Sequence, residues 1–194
     1  MDHHPTAAEP PAFGAAFRDE LTELFRWRRD VRHFLTDPLP EGALDDLLAT
    51  AQLAPSVGLS QPWRWVTVTE PARRKAVLDN FKACNAEALA AYEGAGDRDR
   101  AGLYAGLKLE GLERAPCHLA VFADPEPEEG HGLGSRTLRD TFAYSAVGAV
   151  TLLWLAARAR GIGLGWVSIL EPDGIKAALD PSGILNPGAM LPRG

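Results

Sequence analysis

The stretch 137–160, TLRDTFAYSAVGAVTLLWLAARAR, is apolar on most faces of a helix, and a helix of that kind is wrapped by protein on nearly all sides. Whatever the chain folds into is therefore layered around it. Tyr144, Ser145, Gly148 and Thr151 interrupt its most apolar part, 143–157, which reads as the core helix of a soluble protein rather than a membrane span. The N-terminus shows no basic region followed by an apolar one. The helix carries more apolar surface than one small domain easily covers, so a second copy of the chain, in a homodimer, is expected against it.

The remaining pattern supplies the layers. Residues 1–14 have no periodicity and read as a mobile arm. Phe17, Leu21, Leu24 and Phe25 fall at helical spacing, and a second helix begins at Pro40, buries Leu44, Leu47, Leu48 and Ala51, and ends before Pro55. WRWVTVT at 63–69 and HLAVFAD at 118–124 read as strands, and GLGWVSIL at 163–170 as a third. Pro71 opens a helix through Leu89, a polar break follows at 93–100, and helical spacing resumes over 102–112 with Leu103 and Leu107 on one side. PDGIKAAL forms a short last helix. The order, ααβααβαβα without repeats, indicates a layered α+β domain. Its span is 15–180, with a tail at 181–194 that lacks a strand pattern.

Charge and motif spacing exclude several function classes. A net charge of −6, with basic residues not spread along a face, argues against nucleic acid as a partner. Cys84 and Cys117 lie far apart, five histidines show no i, i+4 pair, and no metal site is expected. A reducing cytoplasm fits. There is no P-loop and no G-x-S-x-G elbow. The glycines of GIGLGWVSI follow no strand and open no helix, so they fail as a dinucleotide fingerprint. EPEEG, at 126–130 within the 125–135 loop, reads as a hydrated surface segment.

Against that background RWRRDVRHF, 26–34, is conspicuous: Arg26, Arg28, Arg29 and Arg32 crowd around a single carboxylate, Asp30. One account is a solvated helix end facing the dipole. The other is an anion site, because guanidinium forks bind phosphate in bidentate fashion, each charge-assisted bond contributing about 1.5–3 kcal/mol. Asp30 is either the counter-ion holding the turn or a proton acceptor, since a cationic neighbour favours the ionised carboxylate a base requires. The turn APSVGLSQPWRW, 54–65, places Ser56, Ser60 and Gln61 where a planar polar ligand could approach the backbone.

RRDVRHF, APSVGLSQPWRW, YAGLKLEGLERAP and LWLAARARGIGLGWVSI, in this order and spacing, resemble the flavin-destructase branch of the nitroreductase superfamily over residues 25–179. Generic members carry Asn where this chain has Leu59. The resemblance implies a layered sandwich with a central mixed sheet flanked by helices, dimeric, with FMN at the interface. It implies that Arg28, Arg29, Asp30, Val31 and Arg32 hold the flavin and its phosphate, that Ser56, Ser60 and Gln61 line the ring, and that Gly165 and Ser168 lie near the edge where oxygen reacts. Tyr104, Leu107, Lys108 and Glu110 match a lid over the neighbouring protomer's flavin. The implied reaction consumes reduced FMN and molecular oxygen and yields 5,6-dimethylbenzimidazole, the lower ligand of vitamin B12, with erythrose 4-phosphate. A separate flavin reductase supplies reduced FMN. Asp30 and Ser168 are the implied catalytic positions, for proton transfer and for positioning the oxygenated flavin. The alternatives are an FMN- and NAD(P)H-dependent nitroreductase and a flavin-binding protein without turnover.

Overall fold

The computed structural model describes residues 10–105 and 110–182. Its centre is a pair of antiparallel strands, β1 (Trp63–Thr67) and β2 (Leu119–Ala123), with Trp63 opposite Ala123 and Thr67 opposite Leu119. The two-residue period puts Trp63, Trp65, Leu119, Val121 and Ala123 on one face and Val66, Ala120 and Phe122 on the other. Both faces are mainly apolar and packed upon, with Arg64 and the exposed Thr67 as the polar exceptions on β1.

Helix α1 (Ala15–Trp27) precedes α2 (Ala43–Ala51), and α3 (Pro71–Gly94), α4 (Arg98–Ala105) and α5 (Glu110–Arg114) lie between the strands in sequence. Helices α6 (Thr141–Ala159) and α7 (Pro172–Leu179) follow β2. The first face of the sheet packs on α6, where Trp63 meets Ala54, Ala146 and Ala149. Alanines at these positions let the helix axis approach the tryptophan closely. Toward its C-terminal end α6 packs on α2 through Leu47, Ala51, Leu153, Ala156 and Ala157. The opposite face is filled by Phe122, with Val68, Val77 of α3, and Ile175 and Leu179 of α7. Pro172 stands in the first turn of α7, and the Glu171 carboxylate accepts from the Asp173 and Gly174 amides, which caps the helix. Asn80 of α3 fastens that cap with paired bonds to the Glu171 backbone, at 3.1 and 2.8 Å.

The α+β reading holds, and four details differ. Residues 163–170 form no strand, so the sheet among the described residues has two strands and is antiparallel, where a mixed one was expected. The reason is chemical: the Trp166 amide is taken by the Asp30 side chain, and the Leu164 carbonyl by the Val31 amide, which leaves the segment bonded to 30–31 and not to a ladder. The second helix begins at Ala43, not Pro40, and the expected polar break narrows to 95–97. Finally, the described residues do not wrap α6 on all sides. Its mean hydropathy of 1.4 and 19-residue length would suit a membrane span, yet a third of that span is buried, on α2 and both strands, while Tyr144, Val147 and Thr151 face outward. Helix α1 lies against it and buries no residue of its own. The tail from residue 183 onward and the first nine residues lie outside the described residues.

His118, at the entrance to β2, is half-buried, and its Nε2 has no partner among the described residues. Burial, with the nearby Arg74 cation second, pushes its pKa down to about 4, against a weaker upward pull from a hydrogen bond with the Leu112 backbone. In the unfolded chain it titrates near 6.5, so the unfolded state takes up the proton first on acidification. The stability this neutral histidine allows is present above about pH 6.5 and is lost as the pH falls toward 4. Urea denaturation of the protein and of His118→Gln across that window is expected to show the wild type losing stability relative to the variant as the pH falls. Parallel curves contradict the assignment.

Candidate active site

The arginine-rich segment is delivered by the end of α1. After Trp27 the backbone turns extended at Arg28, whose amide still bonds the Leu24 carbonyl at 3.0 Å, and the chain then passes Trp154 of α6 at Arg28 and Arg29 before it meets residues 163–166 at Asp30 and Val31. Trp154 of α6 holds this path: its Nε1 donates to the Arg29 carbonyl at 3.2 Å, and its ring lies 4.6 Å below the Arg28 guanidinium. Trp166 stands beside it, ring centroids 6.2 Å apart.

Asp30 ties this segment to the one after α6. Its Oδ1 accepts from the Trp166 amide at 2.9 Å, and its Oδ2 pairs with Arg32 at 2.6 Å. Next to it the Val31 amide donates to the Leu164 carbonyl at 3.0 Å. Gly165 permits this approach, because a Cβ there would lie 2.3 Å from the Val31 carbonyl oxygen and close to Asp30 Oδ1 and Phe34. The four arginines are disposed differently. Arg26 pairs with Glu23, Arg32 with Asp30, and Arg28 stacks on Trp154, while Arg29 bends back to the Arg26 and Arg28 carbonyls. Arg28 and Arg29 thus have no carboxylate counter-ion among the described residues. A cationic pair held on a rigid path is a site for an anion.

The second group, Ser56, Ser60 and Gln61, lies on a short 3-10 turn, Val57–Leu59, and its exit. The Ser56 hydroxyl accepts from the Gln61 amide at 3.0 Å, and the Val57 amide donates to Ser145 of α6 at 3.1 Å. Leu59 and Gln61 hold φ of 59° and 41°, a left-handed conformation that costs about 1–2 kcal/mol per non-glycine residue. Packing beneath maintains it: Gly130 sits under the turn, where a Cβ would come within 2.8 Å of both the Gly58 carbonyl and the Ser60 side chain. The 125–135 segment, read from sequence as a hydrated loop, is in this part the floor of the turn. Ser60 is buried, and its hydroxyl has no partner among the described residues. An orphaned hydroxyl beside a strained turn is a place where a ligand's polar edge would be held.

The turn is anchored at Ser145 and the arginine segment at Trp154, and about 1.5 Å of rise per residue separates them by about 14 Å along α6. Asp30, Val31, Arg32 and Gly165 are brought into contact; Ser168 is exposed further along the same segment. Leu107 and Lys108 lie outside the described residues, and of Tyr104 and Glu110 only the backbone is described, on α4 and α5. Sequence reasoning missed Trp154, Trp166, Gly130 and Ser145 as parts of the site.

Comparison with known proteins gives a consistent result. Residues 25–191 match the model of the nitroreductase family. A protein of Rhodospirillum rubrum named 5,6-dimethylbenzimidazole synthase is 55% identical over 170 residues, covering 88% of this chain and 79% of its own. A BluB-like flavoprotein of Clostridium difficile superposes with a TM-score of 0.63 at 20% identity, covering 84% of this chain and 81% of its own, so the likeness is one of fold. The same holds for an iodotyrosine deiodinase bound to FMN and 3-iodo-L-tyrosine, with a TM-score of 0.61 at 23% identity over 82% of this chain and 80% of its own.

The close fit at Gly165 is open to direct test. Gly165→Ala sets a methyl group against a backbone carbonyl, which cannot rotate away, and is expected to cost about 1–3 kcal/mol in urea denaturation. Gly163→Ala meets only the Val31 methyl groups, at 3.1 Å, and is expected to cost less. Equal losses would show that the 30–31 segment is not clamped at Gly165.

Proposed function

The chain belongs to the nitroreductase family, and on that premise we propose that it fragments reduced FMN with molecular oxygen, releasing 5,6-dimethylbenzimidazole and erythrose 4-phosphate. The observation that carries this reading is the high identity, over most of both chains, to a protein that bears the name of that activity. The site chemistry supports it. Arg28 and Arg29 lack a counter-ion among the described residues, and the Ser60 hydroxyl lacks a partner, so the residues present fit a ligand with an anionic tail and a polar planar head.

In this reading Arg28, Arg29 and Arg32 hold the phosphate, Val31 contributes to the flavin site, Gly165 lies near the flavin edge where oxygen reacts, and the turn with Ser56, Ser60 and Gln61 receives the ring. Reduced FMN supplies the electrons for the reaction with oxygen and is itself the substrate. Asp30 accepts a proton at the carboxylate oxygen that faces away from the Trp166 amide. Ser168, on the segment that Asp30 holds, donates or accepts a hydrogen bond where oxygen reacts. By the family resemblance, Tyr104, Leu107 and Lys108 would belong to a lid over the neighbouring protomer's flavin, and a water-poor site protects an oxygen-reactive ligand from side reactions. The working domain is 15–180.

Two copies of the chain assemble with FMN at their interface. The side of α6 that the described residues leave exposed, with Tyr144 and Val147, and the exposed aromatic residues Phe17, Phe25 and Trp27 of α1 support this arrangement. A separate flavin reductase supplies reduced FMN, in the cytoplasm.

Mixing the protein anaerobically with reduced FMN, admitting oxygen and analysing the products by mass spectrometry tests the activity. Dimethylbenzimidazole is expected; reoxidised FMN alone contradicts the reading. Arg32→Ala is expected to weaken FMN binding much more than binding of riboflavin, which has no phosphate, and equal losses would remove the phosphate role. Asp30→Asn is expected to retain FMN and to lower product formation about 10²–10⁴-fold, the usual contribution of a general base. A loss within about threefold returns Asp30 to a structural role. Light scattering with FMN present is expected to give a dimer at micromolar protein.

A further inference from the structure

Asp30 offers two oxygens, and their partners differ in kind. Oδ1 is held by a backbone amide, that of Trp166, while Oδ2 is held by a side chain, that of Arg32. The amide cannot leave: the Val31–Leu164 backbone bond and the approach at Gly165 lock residues 30–31 to 164–166. The guanidinium can leave, because the Arg32 side chain is 39% exposed and its ion pair is the only bond it makes among the described residues. Arg28 and Arg29, which have no carboxylate to neutralise them, precede it on the same rigid path.

We propose that Arg32 is a removable cap on Asp30: it covers Oδ2 in the free protein and leaves it for the phosphate monoester of the bound flavin, which opens Oδ2 as a proton acceptor. The inference rests on the proposed function, and it makes the phosphate an activator of the reaction as well as an affinity handle. The physical reason is competition. A carboxylate bonded to a guanidinium is charged but is a weaker base, because taking up a proton breaks the ion pair. A phosphate monoester carries about 1.5–2 negative charges at neutral pH against one on the carboxylate, and it meets Arg28 and Arg29 as well. Arg32 therefore transfers to the phosphate, and Oδ1, still on the Trp166 amide, keeps the uncapped carboxylate in place. A flavin without phosphate finds the acceptor capped. Binding energy from a remote part of the substrate is in this way converted into rate, not only into affinity.

The probes are reduced riboflavin and the phosphite dianion. At saturating reduced riboflavin and oxygen, wild-type protein is expected to form dimethylbenzimidazole slowly, and phosphite to raise that turnover at least about tenfold by supplying the missing dianion. Arg32→Ala is expected to exceed the wild-type rate on riboflavin without phosphite and to gain nothing from phosphite. Absence of phosphite activation in the wild type, or a variant slower than the wild type on riboflavin, overturns the proposal. Arg32→Gln repeats the comparison if the alanine variant does not fold. A measurement independent of turnover uses the amide that Asp30 holds. With 15N-tryptophan labelling, and Trp166→Phe to assign the resonance, titration of inorganic phosphate alone is expected to shift the Trp166 amide saturably in the wild type and not in Arg32→Ala. An amide that stays in place while calorimetry reports saturation, or no phosphate binding by calorimetry, overturns the cap. If reduced FMN yields no dimethylbenzimidazole with the wild type, the proposed function fails, while the amide titration still decides whether phosphate displaces Arg32.

Discussion

The bond from the Trp166 amide to Asp30 joins the two ends of the architecture. Asp30 follows α1, and Trp166 follows α6, so one carboxylate oxygen fastens the exit of the first helix to the exit of the central one. The adjacent Val31–Leu164 bond and the missing Cβ at Gly165 make the fastening rigid. Without it the 28–34 segment would be an exposed helix end carrying several like charges. With it, the same arginines are presented along a fixed line beside Trp154.

Helix α6 carries the consequences to the rest of the molecule. Its alanines pack on the sheet and on α2, its Ser145 holds the strained turn, and its Trp154 holds the arginine path. One rigid element thus sets the separation of the two candidate binding regions. The left-handed residues Leu59 and Gln61 would relax if left to themselves, since each costs more than a typical surface hydrogen bond returns. Gly130 below the turn and the Ser145 hydroxyl beside it oppose that relaxation. The turn is held in place by packing that is distant in sequence.

Much of this was legible in the residues. Alternating aromatic and β-branched residues located β1 and β2, and the alanine-rich apolar run located α6, because periodicity and burial are properties of a segment by itself. The arginine cluster with Asp30 also stood out as a charge pattern that a solvated helix end explains poorly. The failures share a cause. Val167 and Ile169 look like strand residues, but whether they join a ladder depends on what takes the neighbouring amides, and Asp30 lies far away in sequence. Gly130 reads as loop punctuation until it is seen under Ser60. Trp154 reads as one more apolar residue of a core helix until its indole is seen to meet Arg28 and the Arg29 carbonyl. The side of α6 that the described residues leave uncovered illustrates that apolar periodicity reports the amount of surface to be buried and not what buries it.

The central claim is that the clamped 28–32 segment is the seat of the flavin phosphate and that Asp30 stays fixed beside it. A crystal structure of the protein with FMN tests this most directly. The account predicts the phosphate within hydrogen-bond distance of the Arg28 and Arg32 guanidinium groups, with Asp30 Oδ1 still on the Trp166 amide and Oδ2 released from Arg32. A phosphate bound away from these arginines, or an Asp30 turned off the Trp166 amide, would contradict it.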